Sequence, residues 1–127
     1  LSVLKEIIVK QWSERSRCEA LKEVHAMQAT CNHPNVVNYY DSWFSHYKLY
    51  ILMEFAPNGS LDKVIRTYKE HNRCFNQSEI VHYMEQLSSA LEYCHDDLKI
   101  IHRDIKSANV LVDAEMTAVL CDFSLIK

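Results

Sequence analysis

The stretch Ile101-His102-Arg103-Asp104-Ile105-Lys106-Ser107-Ala108-Asn109-Val110-Leu111 decides how the rest of the chain is read. It sets four side chains suited to phosphate, magnesium or proton chemistry (Arg103, Asp104, Lys106 and Asn109) between two apolar pieces. Further on, Val119-Leu120-Cys121 leads into a second carboxylate, Asp122, followed by Phe123. Carboxylates at strand ends flanking one loop can meet, and two oxygen ligands plus substrate phosphates are what Mg2+ favours. On spacing alone, a solvated loop with ordinary charges accounts for the same residues equally well.

Composition narrows the classes. The 127 residues carry 14 basic and 17 acidic side chains, a formal charge of −3, with 48% hydrophobic and 24% charged residues. That is globular rather than disordered composition, for one domain at most. The acidic balance gives no electrostatic reason to expect nucleic acid or an anionic membrane as partner. Leu49–Met53, the longest apolar run, is far short of the ~20 residues of a membrane span. The single glycine, Gly59, excludes a multi-glycine phosphate cradle within this sequence. The five cysteines (Cys18, Cys31, Cys74, Cys94, Cys121) form no CxxC pair, and an odd number cannot pair completely. A reduced, cytoplasmic setting is expected. Beginning at Leu1, with apolar residues at once in play, the chain reads as a fragment of something longer.

Outward from the polar stretch, residues 1–9 read as a buried strand in which Lys5 interrupts an apolar row of Leu1, Val3, Ile7 and Val9. Residues 13–31 read as a helix capped by Ser13, with Ala20, Leu21, Val24, Met27 and Cys31 as its apolar stripe. Val36–Phe44 and Lys48–Phe55 read as strands joined by a turn at Ser45-His46. Pro57-Asn58-Gly59 is turn chemistry, and Ser60 opens a short helix carrying Leu61, Val64, Ile65 and Tyr68. Asn76 with Glu79 forms a capping box before a helix over 78–94, whose stripe is Ile80, Met84, Leu87, Leu91 and Cys94. Ile100-Ile101, Val110–Val112 and Ala118–Cys121 read as short strands, the last two joined by a turn at Asp113-Ala114-Glu115.

HRDIKSANVL resembles the catalytic loop H-R-D-x-K-x-x-N of a eukaryotic protein kinase, and Cys121-Asp122-Phe123-Ser124 resembles the metal-binding D-F-G, with serine for glycine. Ser2-Val3-Leu4-Lys5 is similar to the third-strand V-A-I-K, His33-Pro34-Asn35-Val36-Val37 to the linker into the fourth strand, and Leu49–Met53 to the fifth. The resemblance spans the whole chain. It implies an α+β, partial protein-kinase-like bilobal fold: residues 1–55 as a truncated N-lobe, with an antiparallel sheet and one helix from third strand to hinge, and 56–127 as the start of a helical C-lobe. Within the family, LKEVHAMQATCNHPNVVNYYDSW most resembles the sterile-twenty-like, germinal-centre kinases, and Lys106 favours serine/threonine over tyrosine specificity.

The resemblance further implies an ATP- and Mg2+-dependent transfer of phosphate to a serine or threonine of a protein substrate. Asp104 would orient the hydroxyl and accept its proton, Lys106 steady the γ-phosphate, and Asn109 and Asp122 hold Mg2+. Lys5, fixed by Glu23, would position the α- and β-phosphates. Glu54 and Ala56 would bond adenine through their backbone, Val3 and Leu111 sandwich its ring, and Met53 stand as gatekeeper. Met27, His102 and Phe123 match a hydrophobic column linking the lobes, and Arg103 the arginine that reads activation-loop phosphorylation. The odd placement of Lys5 and the Lys5–Glu23 pair that the resemblance implies explain each other, the plain alternative being a Lys5 that snorkels at a strand edge beside a solvated Glu23. An ammonium in an apolar row needs a carboxylate nearby, and Glu23 lies about 40° from Met27 at the edge of the helical stripe. Ser124 departs from the pattern, and the glycine-rich loop and activation segment lie outside this sequence. A pseudokinase or scaffold that binds without catalysis is the alternative reading.

Overall fold

The computed structural model describes residues 1–29 and 32–123. Cys31 of the first helical stripe and Ser124 lie outside them. Three strands, β1 (Ser2–Ile8), β2 (Tyr39–Ser45) and β3 (Lys48–Glu54), form an antiparallel sheet in the order β1-β3-β2, and α1 (Glu14–Ala29) enters the chain between β1 and β2. Below the sheet follow α2 (Leu61–Glu70), α3 (Gln77–Glu92) and a two-stranded hairpin of β4 (Val110–Val112) and β5 (Ala118–Leu120). This is the expected α+β arrangement, a sheet with one helix followed by a helical part.

β3 alternates buried and half-buried residues, with Leu49, Ile51 and Met53 facing the core. That is the period-two pattern of a central strand with one covered face. The tight β2–β3 turn places His46 and Tyr47 at φ of 47° and 62°, the left-handed geometry that matches strand twist in two-residue hairpins. β1 departs from expectation. It is an edge strand rather than a buried one: among the described residues it pairs only with β3, and Leu4 and Ile8 are 48% and 66% exposed. Hydrophobicity gives a strand its faces but does not say how many neighbours cover them.

In α1 the Ser13 hydroxyl accepts from the Ser16 amide at 3.2 Å, satisfying one free N-terminal donor. The buried face comprises Ala20, Glu23, Val24, Ala26 and Met27, whereas Leu21 is 41% exposed. The face is thus turned toward Glu23. Residues 36–38 do not continue β2 upstream as expected. Val36 instead forms a parallel bridge with Leu120, and the Val37 amide donates to the Leu120 carbonyl at 2.9 Å.

Gly59, at φ 71°, supplies the turn into α2, and a Cβ there would come within 3.1 Å of the Lys63 side chain. The capping box of α3 is present: Asn76 accepts from the Glu79 amide and the Glu79 carboxylate accepts from the Asn76 amide, both at 2.9 Å. Tyr83, Ala90 and the following Cys94 are buried, while Ile80 and Met84 are 51% and 58% exposed. The predicted stripe is therefore covered only toward its C-terminal end. Past Glu92 the helix widens into a π turn over Tyr93–Asp97, and the Ile100 amide closes on the Cys94 carbonyl. Ile100-Ile101 is consequently not a strand, because its backbone serves this turn.

Candidate functional site

The Lys5 side chain leaves β1 toward α1, where Nζ lies 2.8 Å from Glu23 Oε1. Glu23 keeps only 8% of its side chain exposed, Lys5 36%. On its other side Lys5 Nζ stands 3.9 Å from Asp122 Oδ1, so one ammonium faces carboxylates from α1 and from the segment after β5. At 3.9 Å the second contact is electrostatic and too long for a hydrogen bond.

The polar stretch folds into a compact cluster. Asn109 ends a single 3-10 turn over Ser107–Asn109 and is buried, and its Nδ2 donates to both the backbone carbonyl (2.9 Å) and the carboxylate (2.8 Å) of Asp104. Lys106 Nζ reaches the same carboxylate at 2.9 Å. This ammonium holds the Asp104 carboxyl below its ordinary range, with Asn109 assisting and desolvation opposing, and Asp104 in turn raises the Lys106 pKa. Asp104 is thus an ionised acceptor at neutral pH.

His102, fully buried, joins the two halves. Its Nδ1 accepts from the Asp104 amide at 3.2 Å, so Nε2 carries the proton and donates to the Cys121 carbonyl at 2.9 Å. Phe123, also fully buried, meets the His102 ring edge-on at 5.0 Å. The Cys121 amide donates to the Asn109 carbonyl at 3.0 Å, tying the segment that bears Asp122 to the one that bears Asn109. Burial, with the Asp122 charge adding, pushes the Cys121 thiol up to about 12, so it remains protonated. Arg103 and Asp122 take φ of 65° and 63°, the left-handed region uncommon for residues with a Cβ.

These residues fit a hard divalent cation. Asp122 Oδ1 is buried and accepts no hydrogen bond, and Asn109 has spent its Nδ2 donors on Asp104, leaving its oxygen as the acceptor on offer. Among the described residues no cluster of three or more His, Cys, Asp or Glu could hold an ion unaided. A two-ligand site of this kind needs oxygens from a substrate to complete a magnesium shell.

Above the cluster, Val3 and Met53 are direct cross-strand neighbours in β1 and β3. Leu111 of β4 bridges to Ser60, just past the 54–56 segment, and the Asn58 amide donates to the Val112 carbonyl at 3.2 Å. The Ala56 carbonyl accepts from Gly59 N at 3.0 Å. Glu54 is held by Asn38: its carboxylate accepts from the Asn38 amide (3.1 Å) and Nδ2 (3.0 Å), and its own amide donates back to the Asn38 carbonyl (2.9 Å). Asn38 carried no sequence signal, because nothing local distinguishes an asparagine that will clamp a residue on another strand. A cavity of about 540 Å3 beside α2, lined in part by Ile65, Tyr68, Arg73 and Phe75, lies apart from this cluster. Its Arg73 is already committed to Glu79 and to the Tyr68 ring.

Comparison with known proteins decides the family. The protein kinase domain model matches residues 1–127. The chain belongs to the protein kinase domain family. It is 37% identical over 125 residues to serine/threonine-protein kinase Nek1 of Mus musculus, covering 98% of this chain and 10% of that protein. It is 34% identical to probable serine/threonine-protein kinase nek3 of Dictyostelium discoideum, covering 100% of this chain and 11% of the relative. It is 38% identical to putative serine/threonine-protein kinase A of Trypanosoma brucei brucei, covering 97% and 28%. The chain therefore spans about a tenth to under a third of these relatives. None of the three carries the germinal-centre name, and that subgroup stays an expectation of the sequence. No helix among the described residues is long and apolar enough to cross a membrane.

The loop after α1 is tied to α3 and the turn that follows it through His33. Its Nδ1 accepts from the Asn35 amide (3.1 Å), its Nε2 donates to Ser89 Oγ (3.1 Å), and its ring stacks on Tyr93. Burial lowers its pKa below 6.5, with Asp97 opposing. Because the folded pKa lies below the unfolded one, stability is full above 6.5 and falls as pH drops and the unfolded imidazole takes a proton. Chemical denaturation at pH 7.5 and 5.5 should show this loss, reduced in His33→Gln; an equal loss in both would remove His33 as its source.

Proposed function

We propose that this kinase chain transfers the γ-phosphate of ATP to a serine or threonine hydroxyl of a protein substrate, with Mg2+. The observation carrying the reading is the convergence of Lys5 on Glu23 and Asp122, beside a cluster that keeps Asp104 ionised. Asp104 accepts the proton of the attacking hydroxyl as its oxygen bonds to the γ-phosphorus and ADP departs. Lys106, already seated on Asp104, steadies the transferred group. Lys5, aimed by Glu23, meets the α- and β-phosphates, and Asn109 and Asp122 are the residues that would hold Mg2+. When bound, Mg2+ offsets charge on the phosphates and on the group in transfer. Positioning and electrostatics supply most of the catalysis in such transfers.

Val3, Met53 and Leu111 form the base pocket in this reading, with the backbone of Glu54 and Ala56 orienting the ring and apolar burial supplying most of the affinity. Residues 1–55 make up the upper part and 56–127 the lower. A cytoplasmic location, where ATP and protein substrates are at hand, completes the reading. The test is equilibrium binding of ATP with Mg2+ by the full natural chain, followed by phosphate transfer to serine, threonine and tyrosine peptides. Binding with transfer to serine or threonine is expected. Binding without transfer would favour the scaffold alternative, and no binding would overturn both.

A further inference from the structure

Asp122 has an unusual support. Its Oδ1 is buried without a hydrogen bond, its φ is 63°, and Lys5 approaches it only to 3.9 Å, so its side chain is held by charge rather than by a directed bond. Its position is set by the main chain leaving β5 and by the bonds of Cys121 to Asn109 and His102; β5 itself is a strand of three residues, Ala118–Leu120, with a single ladder partner, β4. So short a pairing is marginal by itself.

The outer edge of β5 is nevertheless fully engaged. The Ala118 amide donates to Gln86 Oε1 of α3 at 2.7 Å, and the Ala118 carbonyl accepts from Nδ2 of the buried Asn35 at 2.9 Å. Two residues on, the Leu120 amide donates to the Asn35 carbonyl (2.8 Å) and the Leu120 carbonyl accepts from the Val37 amide (2.9 Å). Gln86 is itself oriented, since its Nε2 meets His82 Nε2 at 2.9 Å, which leaves Oε1 for Ala118. Ala118, Val119 and Leu120 are all buried, so water cannot replace a lost partner cheaply.

We infer that Gln86 and Asn35 are positioning residues for Asp122: by gripping the outer edge of β5 from α3 and from the loop after α1, they fix where the strand delivers its carboxylate. The inference rests on the proposed reading that Asp122 holds Mg2+. It predicts an effect confined to the metal side. Loosening Ala118 moves Asp122, while Val3 and Met53 of the base pocket lie on the other sheet and Leu111 keeps its ladder with Val119.

The experiment uses Gln86→Met in the full natural chain, with Mg2+, ADP and adenosine as probes. The half-saturating Mg2+ for ADP binding should rise about three- to tenfold, less than the ~10–100-fold of a direct outer-shell partner. Adenosine, which needs no metal, should bind within about twofold of wild type, and the Ala118 amide should exchange faster in nucleotide-free protein. Gln86→Glu keeps an acceptor for Ala118 and should restore the Mg2+ requirement to within about twofold of wild type. Asn35→Ala removes the side-chain contact to the Ala118 carbonyl, leaving the backbone bond to Leu120, and carries the same direction of effect should Gln86→Met not fold. An unchanged Mg2+ requirement in a folded variant, or an equal loss for adenosine, would overturn the inference. ADP binding by wild type that ignores Mg2+ would instead overturn the underlying metal-site reading, and this inference with it.

Discussion

Asp104→Asn should lower the proposed phosphate transfer to a serine peptide by about 10²–10⁴-fold, the usual contribution of a positioned proton acceptor, and leave ATP affinity within about threefold. The carboxylate is ionised at neutral pH because Lys106 and Asn109 both donate to it. An amide of the same shape cannot take up the hydroxyl proton and presents an NH2 where two donors already point. Asn109 retains its bond to the Asp104 backbone carbonyl, so the loop should hold its shape. Steady-state transfer and equilibrium ATP binding on the full natural chain separate the two effects. Transfer near the wild-type rate would show that another group handles the proton.

Lys5→Met acts on both function and stability. Removing a preorganised cation from the phosphates should lower transfer about 10²–10³-fold. It also leaves the Glu23 carboxylate, 8% exposed, without its 2.8 Å partner. A buried acceptor deprived of its hydrogen bond costs about 1–3 kcal/mol, and a charged one more; the 36% exposure of Lys5 keeps the loss within that range. Adding Glu23→Gln removes the stranded charge, so the double variant should regain stability in denaturant melts but no activity. A double variant no more stable than Lys5→Met would mean that Glu23 is solvated once Lys5 is gone, and the ion pair would then have little structural weight.

Half of the Lys5–Glu23 pair is legible in local pattern, and its partner comes from the kinase resemblance. Lys5 sat in an apolar strand row, and Glu23 sat at the edge of an apolar helical face. The structure joins them at 2.8 Å. The capping box at Asn76 and Glu79 was legible in local pattern, since both halves lie within one helical turn. The grip of Asn35 and Gln86 on Ala118 was not, because an amide side chain meeting a distant backbone group leaves no periodic trace. The same holds for Asn38 on Glu54. Residues 36–38 belong to the strand expected over Val36–Phe44, but their bonds go to Leu120 and Glu54, and pairing partners are chosen in space.

The sequence by itself determined that Lys48–Glu54 forms a strand, most of the buried face of α1, where α3 begins, and which polar side chains concentrate around Asp104, since periodicity, caps and residue chemistry act over a few positions. Only the tertiary structure decided that β1 is an edge, that α3 is covered at one end, and that Asp122 is delivered from a strand held by α3 and the loop after α1. Burial and hydrogen bonding between segments far apart in the chain depend on which surfaces meet, and local pattern does not record that.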